Sequence, residues 1–525
     1  MAKRNAASQK VASTSVPAPI GGLNARDSIA NMPQTDALIL DNWFPTPTDV
    51  HVRNGSTYFA DFGTHAVETI MAYNGPITKK LFGVSSDGIY NLTPGGHIAS
   101  ADVTGLTNAR YQHVNMGTPG GNFLLAVNGQ DKLSGYNGTA WWKDGDGAHD
   151  ITGVDSSTLI GINIFKSRVW FTQVGTAKAW YLPLNSIAGA AVSFDFTSLF
   201  YLGGYLMGMT TWTVDNAAGL QEYAVFVSSE GEVLVYQGYD PASSSTFALA
   251  AHFRIGRPIG RRFFTKSGSD VVLLTADGAV PLSQALLTDR SAVNIALSDK
   301  IVSAITGDVS AYKANFGWQV ILHPIGNKLI VNVPQNENSR QYQYVMNTIT
   351  KSWCTFGQQL NFSAWNANCF EVFSDGLYYG SNSQYVYQCD TGNTDATGVS
   401  TSINITSYAK PAFSYFKARG QEKLFTMARP IFQLNGSVQA ALSLDTDFNA
   451  TVPNFSYASL TAGGGSPWDV SPWDVSPWSG DIQIIKDWQT VNGIGFSASL
   501  NVGIVSSVDL GWQSTDYAYQ MGGIL

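Results

Sequence analysis

The chain has 525 residues, too many for one ordinary hydrophobic core, so two or three domains or a closed ring of repeats are expected. Charged residues make up 13%, about half the share usual in soluble domains, whereas glycine reaches 52 residues and aromatics 12%. This balance predicts an all-β protein with many tight turns and a neutral-polar surface, and the net charge of −8 excludes sequence-specific DNA or RNA binding as the main task, which needs a basic footprint.

Residues 1–19 open with the basic Met1-Ala2-Lys3-Arg4, but the Ala/Ser/Thr/Gln stretch that follows has no apolar core, so it reads as a flexible arm ending at Pro17-Ala18-Pro19 rather than a signal peptide. Residues 20–60 carry the densest local signals. Gly21-Gly22 permits a turn, and Pro33-Gln34-Thr35-Asp36 predicts the start of a short helix with Ala37, Leu38, Ile39 and Leu40 as its apolar side. Trp43-Phe44-Pro45-Thr46-Pro47 stops that helix. Val50 and Val52 then alternate with polar residues up to Arg53-Asn54-Gly55-Ser56, and Tyr58-Phe59 follow, the signature of a tight Asn-Gly hairpin. The expectation is a helix-plus-hairpin platform without catalytic chemistry.

The same stretch carries a recognisable pattern: Gly22-Leu23-Asn24-Ala25-Arg26-Asp27, then Leu40-Asp41-Asn42-Trp43-Phe44-Pro45, then Val50-His51-Val52-Arg53-Asn54-Gly55. It resembles the N-terminal region of virion proteins of short-tailed, podovirus-type phages, the tail nozzle or packaged-DNA stabilisation proteins, which are built on a β-propeller. The segments Pro411–Lys417 and Lys423–Pro430 resemble the same group.

Residues 61–399 repeat one local grammar. Hairpins are predicted at Leu81–Leu92, Phe123–Tyr136, Leu159–Thr172, Tyr223–Tyr236, Val271–Leu282, Trp318–Val333 and Phe370–Tyr379, with turns such as Asp87-Gly88, Asn128-Gly129, Asp277-Gly278 and Asp375-Gly376. Seven hairpins at a period of roughly 40–50 residues predict a β-propeller of six or seven blades. Ser291–Ile305 is the best candidate for a helix. Past Gly392 the period breaks. Alternating runs at Ser402–Tyr408, Ile431–Leu434, Ser437–Leu444 and Ile482–Ile484 make 400–525 a separate C-terminal β domain, sandwich or barrel. The opening motif is expected beside that domain.

Candidate chemistry is sparse. The Asp-Gly pairs place carboxylates at loop tips, a position suited to the acids of a propeller glycosidase, but Asp-Gly is also the ordinary choice for such turns. Asp144-Gly145-Asp146-Gly147-Ala148-His149-Asp150 is either a calcium loop or a solvated turn, and it lacks the distal Glu of an EF-hand. Cys354, Cys369 and Cys389 have no Cys-x-x-Cys spacing and read as free thiols in a reducing cytosol. No metal, cofactor or catalytic residue is assigned. Arg254, Arg257, Arg261 and Arg262, with Lys266, concentrate positive charge and are candidates for contact with DNA phosphates or an acidic neighbouring subunit, against local ion pairing on a blade edge. Within the loop 463–480, Ser-Pro-Trp repeats carry Trp468, Trp473 and Trp478, candidates for a distal-tip contact with a glycan or membrane interface, or for packing on their own domain.

The resemblance implies a non-enzymatic tail nozzle: a hexameric ring of this chain that extends the tail tube below a head-to-tail adaptor, retains packaged DNA without reading its sequence, and takes part in ejection. It also implies tail fibre or spike partners, host-surface contact, and a place in the virion tail after assembly in the host cytoplasm. The alternative class is a propeller lectin or glycoside hydrolase acting on host surface glycans.

Overall fold

The computed structural model describes residues 11–216, 219–287, 296–359, 363–449, 455–461 and 483–524. Regular structure is nearly all β, with short helices at Leu282–Leu287 and Val302–Tyr312. The chain divides into two compact units: one holds the chain up to Thr57 with Gln343–Ala364 and Asp390–Leu525, the other Tyr58–Tyr342 with Trp365–Cys389.

The second unit is a β-propeller. All seven predicted hairpins form, from Lys79–Ser85 with Gly88–Asn91 through Ala367–Phe373 with Gly376–Ser381. Turn chemistry fixes them: Asp375 takes φ 70° at the last of these turns, and Gly278 takes φ +106° against Ser298 Oγ, where a Cβ would lie 2.1 Å from that atom. The expected six or seven separate blades are corrected to five self-contained sheets of three or four strands, covering Thr69–Asn91, Gln112–Lys143, Leu159–Asp195, Leu206–Arg254 and Phe264–Pro281. The last two hairpins belong to a longer sheet instead: Lys328–Asn336 is followed in it by Arg340–Asn347 and then Trp353–Phe356, and Gly376–Ser381 by Tyr385–Cys389.

Adjacent sheets hold together by interdigitated apolar faces. Met71 and Phe82 meet Leu124 and Tyr136, Leu125 and Val127 meet Leu159 and Phe171, and Phe165 and Trp170 meet Phe226, Tyr236 and Phe247. Aromatics carry much of this burial because each ring covers large area at low entropic cost. The predicted helix at Ser291–Ile305 lies later than expected, at Val302–Tyr312, with Ile305 and Val309 buried on one side; residues 291–295 fall outside the described set.

The first unit corrects several expectations. Asp36–Asp41 is a strand, not a helix: it pairs antiparallel with Ser402–Pro411, and Asp41 is in parallel register with Thr355. Two ladders of non-local hydrogen bonds outweigh the weak helical preference of Ala-Leu-Ile-Leu. Val11–Pro17 is a strand rather than part of a loose arm, paired with Leu510–Ile524 from Val11–Gln520 to Pro17–Ser514, because that long strand offers it a free edge. The Asn-Gly hairpin does not form; Val50–Val52 pairs with Trp43–Pro45 and with Gly511 and Trp512. Gly55 serves another need: a Cβ there would sit 1.9 Å from Thr394 O.

The domain limits shift accordingly. Residues 343–364 and 390–399 join the first unit, through Trp353–Phe356 and through Thr394–Ala396 on Ser402–Pro411. Its remaining strands form two sheets, one led by Gln421–Leu434 against Leu510–Ile524, the other running from Asp36–Asp41 through Ser402–Pro411 and Ala498–Ser506 to Ser437–Thr446. Trp43 packs on Trp512 at 5.7 Å between ring centroids.

Buried polar groups lock this unit. Arg53 is fully buried, donates through Nη1 and Nη2 to both carboxylate oxygens of Asp395 at 2.9 and 2.5 Å, and gives Nε to Asn42 Oδ1 at 2.7 Å. Its remaining N–H groups reach Asn54 O and Ser363 O. Removing one partner strands the other charge without water. Asp395→Ala is therefore expected to cost about 3–5 kcal/mol of unfolding free energy, read by denaturant titration of the intact chain. A loss no greater than that of an exposed Asp→Ala control contradicts this account.

Candidate functional site

Within the propeller unit, the inner strands Gln112–Thr118, Leu159–Phe165, Phe264–Ser267, Gln319–His323 and Ala367–Phe373 each send residues to one cavity of about 240 Å³. Its lining includes Tyr111, His113, Asn163, Arg261, Arg262, Gln319 and Glu371. A polar lining in a ring of apolar strands is the feature most unlike core packing in this unit.

Arg262 is the anchor. Its Nη2 donates to Glu68 O and Thr69 Oγ1, both at 3.0 Å, its Nη1 reaches Asn368 O at 3.5 Å, and its guanidinium lies 5.4 Å from the Phe316 ring centroid. Arg110 stacks on the same ring at 4.1 Å and is paired with Glu68 and Glu337. His113 Nε2 and Glu371 Oε2 stand 3.6 Å apart. Burial pushes the Glu371 carboxyl up to about 8, with the Arg262 guanidinium opposing. Burial, and then Arg262, push His113 down to about 4. Burial thus favours the uncharged form of both groups beside the arginines of the cavity.

The candidate arginines do not form one patch. Arg261 and Arg262 line the cavity, whereas Arg257 is exposed and pairs with Glu230 at 2.5 Å, the local pairing that was the competing expectation for this run. Arg254 is exposed at the end of the edge strand Phe247–Arg254, and Lys266 donates to Thr211 Oγ1 at 2.7 Å. Trp468, Trp473, Trp478 and the rest of the loop 463–480 lie outside the described residues.

The Asp144–Asp150 loop is closed by its own backbone. Asp144 accepts from Ile151 N and Ser156 Oγ, Asp146 from Ala148 N and His149 N, and Asp150 from Gly147 N. The three carboxylates thus serve separate turns, and among the described residues no three metal-ligating side chains come together. Sequence reading missed His113, Glu371 and Arg110, because Glu371 is far in the chain from the other two. One signal was available: Glu371 interrupts the otherwise uncharged strand Ala367–Phe373.

No protein-family model matches this sequence, and no curated protein matches it. Among the solved structures that resemble it, three illustrate the low identity. Chaetomium thermophilum Raptor is 11% identical over 67% of this chain and 30% of its own, with a TM-score of 0.38. BBS1N, solved in complex with ARL6DN, is 15% identical over 41% of this chain and 61% of its own, with a TM-score of 0.27. Phanerochaete chrysosporium exo-beta-1,3-galactanase is 9% identical over 78% of this chain and 95% of its own, with a TM-score of 0.24. At these scores the likenesses carry no argument about activity.

The pH dependence follows from the two shifts. Glu371, raised from 4.5 to about 8, adds stability that is fully present below pH 4.5 and lost as pH rises to about 8. His113, lowered from 6.5 to about 4, adds stability present above pH 6.5 and lost as pH falls to about 4. Thermal unfolding of wild type and Glu371→Gln across this range separates them: the wild type should lose stability relative to the variant between pH 4.5 and about 8. A difference that stays constant across that window contradicts the assignment.

Proposed function

We propose that this chain is a structural protein of a short-tailed phage particle, the tail nozzle that extends the tail tube, retains packaged DNA and takes part in its ejection. The observation that carries the reading is the work done by the residues of the resemblance. Asn24 binds Asp27 and Asp36, Asn42 and Arg53 form the buried polar centre, Trp43 packs on Trp512, and Gly22 and Gly55 stand where a Cβ would strike backbone. The motif is thus a framework motif, and a likeness carried by framework residues is one of architecture. That suits a family defined by shape and assembly rather than by a reaction.

The physical chemistry of the chain agrees with a conduit. Charged residues are sparse and the net charge is −8, so a wall built from this surface binds phosphate weakly and lets DNA pass. A ring of identical copies spreads its free energy over repeated contacts. The edge strand Phe247–Arg254 exposes Ala248, Leu249 and Ala250 in succession, an edge that a neighbouring subunit would protect. Partners under this reading are further copies of the chain, the adaptor above, fibres or spikes, and the passing DNA. In the rival reading, a glycoside hydrolase needs two carboxylates, and the cavity of about 240 Å³ is lined by one, Glu371.

Particles assembled without this chain are expected to package DNA and then lose it, measured as DNase-accessible genome and as empty heads after purification. Full, stable and infectious particles lacking the chain contradict the proposal.

A further inference from the structure

Arg261 is a cation of the propeller unit for which the described residues provide no ion pair. Arg110 has Glu68 and Glu337, and Arg262 has three oxygen acceptors. Arg261 Nη1 is shut from solvent and has no hydrogen-bond partner among the described residues, and no carboxylate pairs with the side chain there. Burial, and then the charges of Arg110 and Arg262, disfavour its charged form. Nη1 itself is enclosed, so a guanidinium here is costly to keep unless something else uses the part of the half-buried side chain that remains open.

The position of Arg261 indicates the user. A second cavity, of about 360 Å³, adjoins the first, and Gln112, Ile162, Arg261 and Phe264 line both. Beyond Arg261 the second cavity is walled by Ile160, Val174, Met207 and Met209, with Gln173 and Tyr205. A cation and an amide therefore line a largely apolar space large enough for a small organic molecule. Met side chains adapt their shape to varied apolar groups. Glu371 lines the first cavity but not the second.

We propose that this junction is a binding site for an oxyanion carried on a short apolar body, a medium-chain carboxylate or phosphate monoester, with its head on Arg261 and Gln112 and its tail among Ile160, Val174, Met207 and Met209. The forked guanidinium suits two oxygens of one head group, which a point charge would not orient. The proposal is independent of the virion reading and stands or falls without it.

Isothermal titration of the full chain at pH 7 with octanoate, octyl phosphate, 1-octanol and inorganic phosphate tests it. Octanoate or octyl phosphate should bind saturably at one site per chain, and the tighter of the two identifies the head group. Octanol, which lacks the charge, and inorganic phosphate, which lacks the tail, should each bind at least about tenfold more weakly. Arg261→Met should weaken the preferred amphiphile by at least about tenfold, whereas Lys79→Met, at an exposed site, should leave it unchanged. No saturable binding of either amphiphile to wild type, octanol binding as tightly as octanoate, or equal binding by the two variants overturns the proposal. Should Arg261→Met fail to fold, Arg261→Lys keeps the charge and loses the fork; a loss of about threefold or more supports the site, and unchanged affinity overturns it.

Discussion

A guanidinium withdrawn from water must find an acceptor for each of its five N–H groups, and the first unit of this protein is arranged around one that does. Arg53 is satisfied by Asp395, Asn42, Asn54 and Ser363, residues drawn from three separate chain segments. Asn42, at φ 58°, turns its side chain so that Nδ2 meets Ser363 O and Thr406 O while Oδ1 accepts from Arg53 and Gly357. Each of these groups is costly to leave unpaired, so the segments 1–57, 343–364 and 390–525 must come together for any of them to be satisfied. The strand pairings and the Trp43–Trp512 contact add apolar burial to that condition.

How much of this was legible in the sequence depends on how local each cause is. The seven hairpins were readable because Asp-Gly and Asn-Gly turns and alternating strands act within a few residues. The strand Asp36–Asp41 was not, because its conformation is imposed by Ser402–Pro411, more than three hundred positions away. Gly55 was rightly marked as special but for the wrong reason: it admits the close approach of Thr394 rather than a hairpin turn. The blade count failed at the two final hairpins because sheet membership depends on what a strand meets at its outer edge, which no local signal encodes.

The candidate site was legible only in part. Arg261 and Arg262 were marked for their charge and expected on a surface, yet the propeller carries them inward on the approach to Phe264–Ser267, between inner strands. The run thus splits between a salt-bridged Arg257 outside and a polar cavity inside, lined by Arg261 and Arg262. Residues that share charge in sequence need not share a role: Arg257 and the pair Arg261–Arg262 lie on the connection between Phe247–Arg254 and Phe264–Ser267, which runs from the exposed ion pair to the cavity. The polar cavity and the framework motif lie in different units and make different demands: one holds charge that its ring only partly neutralises, the other leaves no polar atom of Arg53 unmatched.

The central claim is that the chain is a part of a particle, built for assembly. Electron microscopy of purified virions, combined with antibody labelling of this chain, tests it most directly. The account predicts label and density for repeated copies closed into a ring around the tail axis, below the adaptor. Infectious particles whose tails contain no copy of the chain would contradict it.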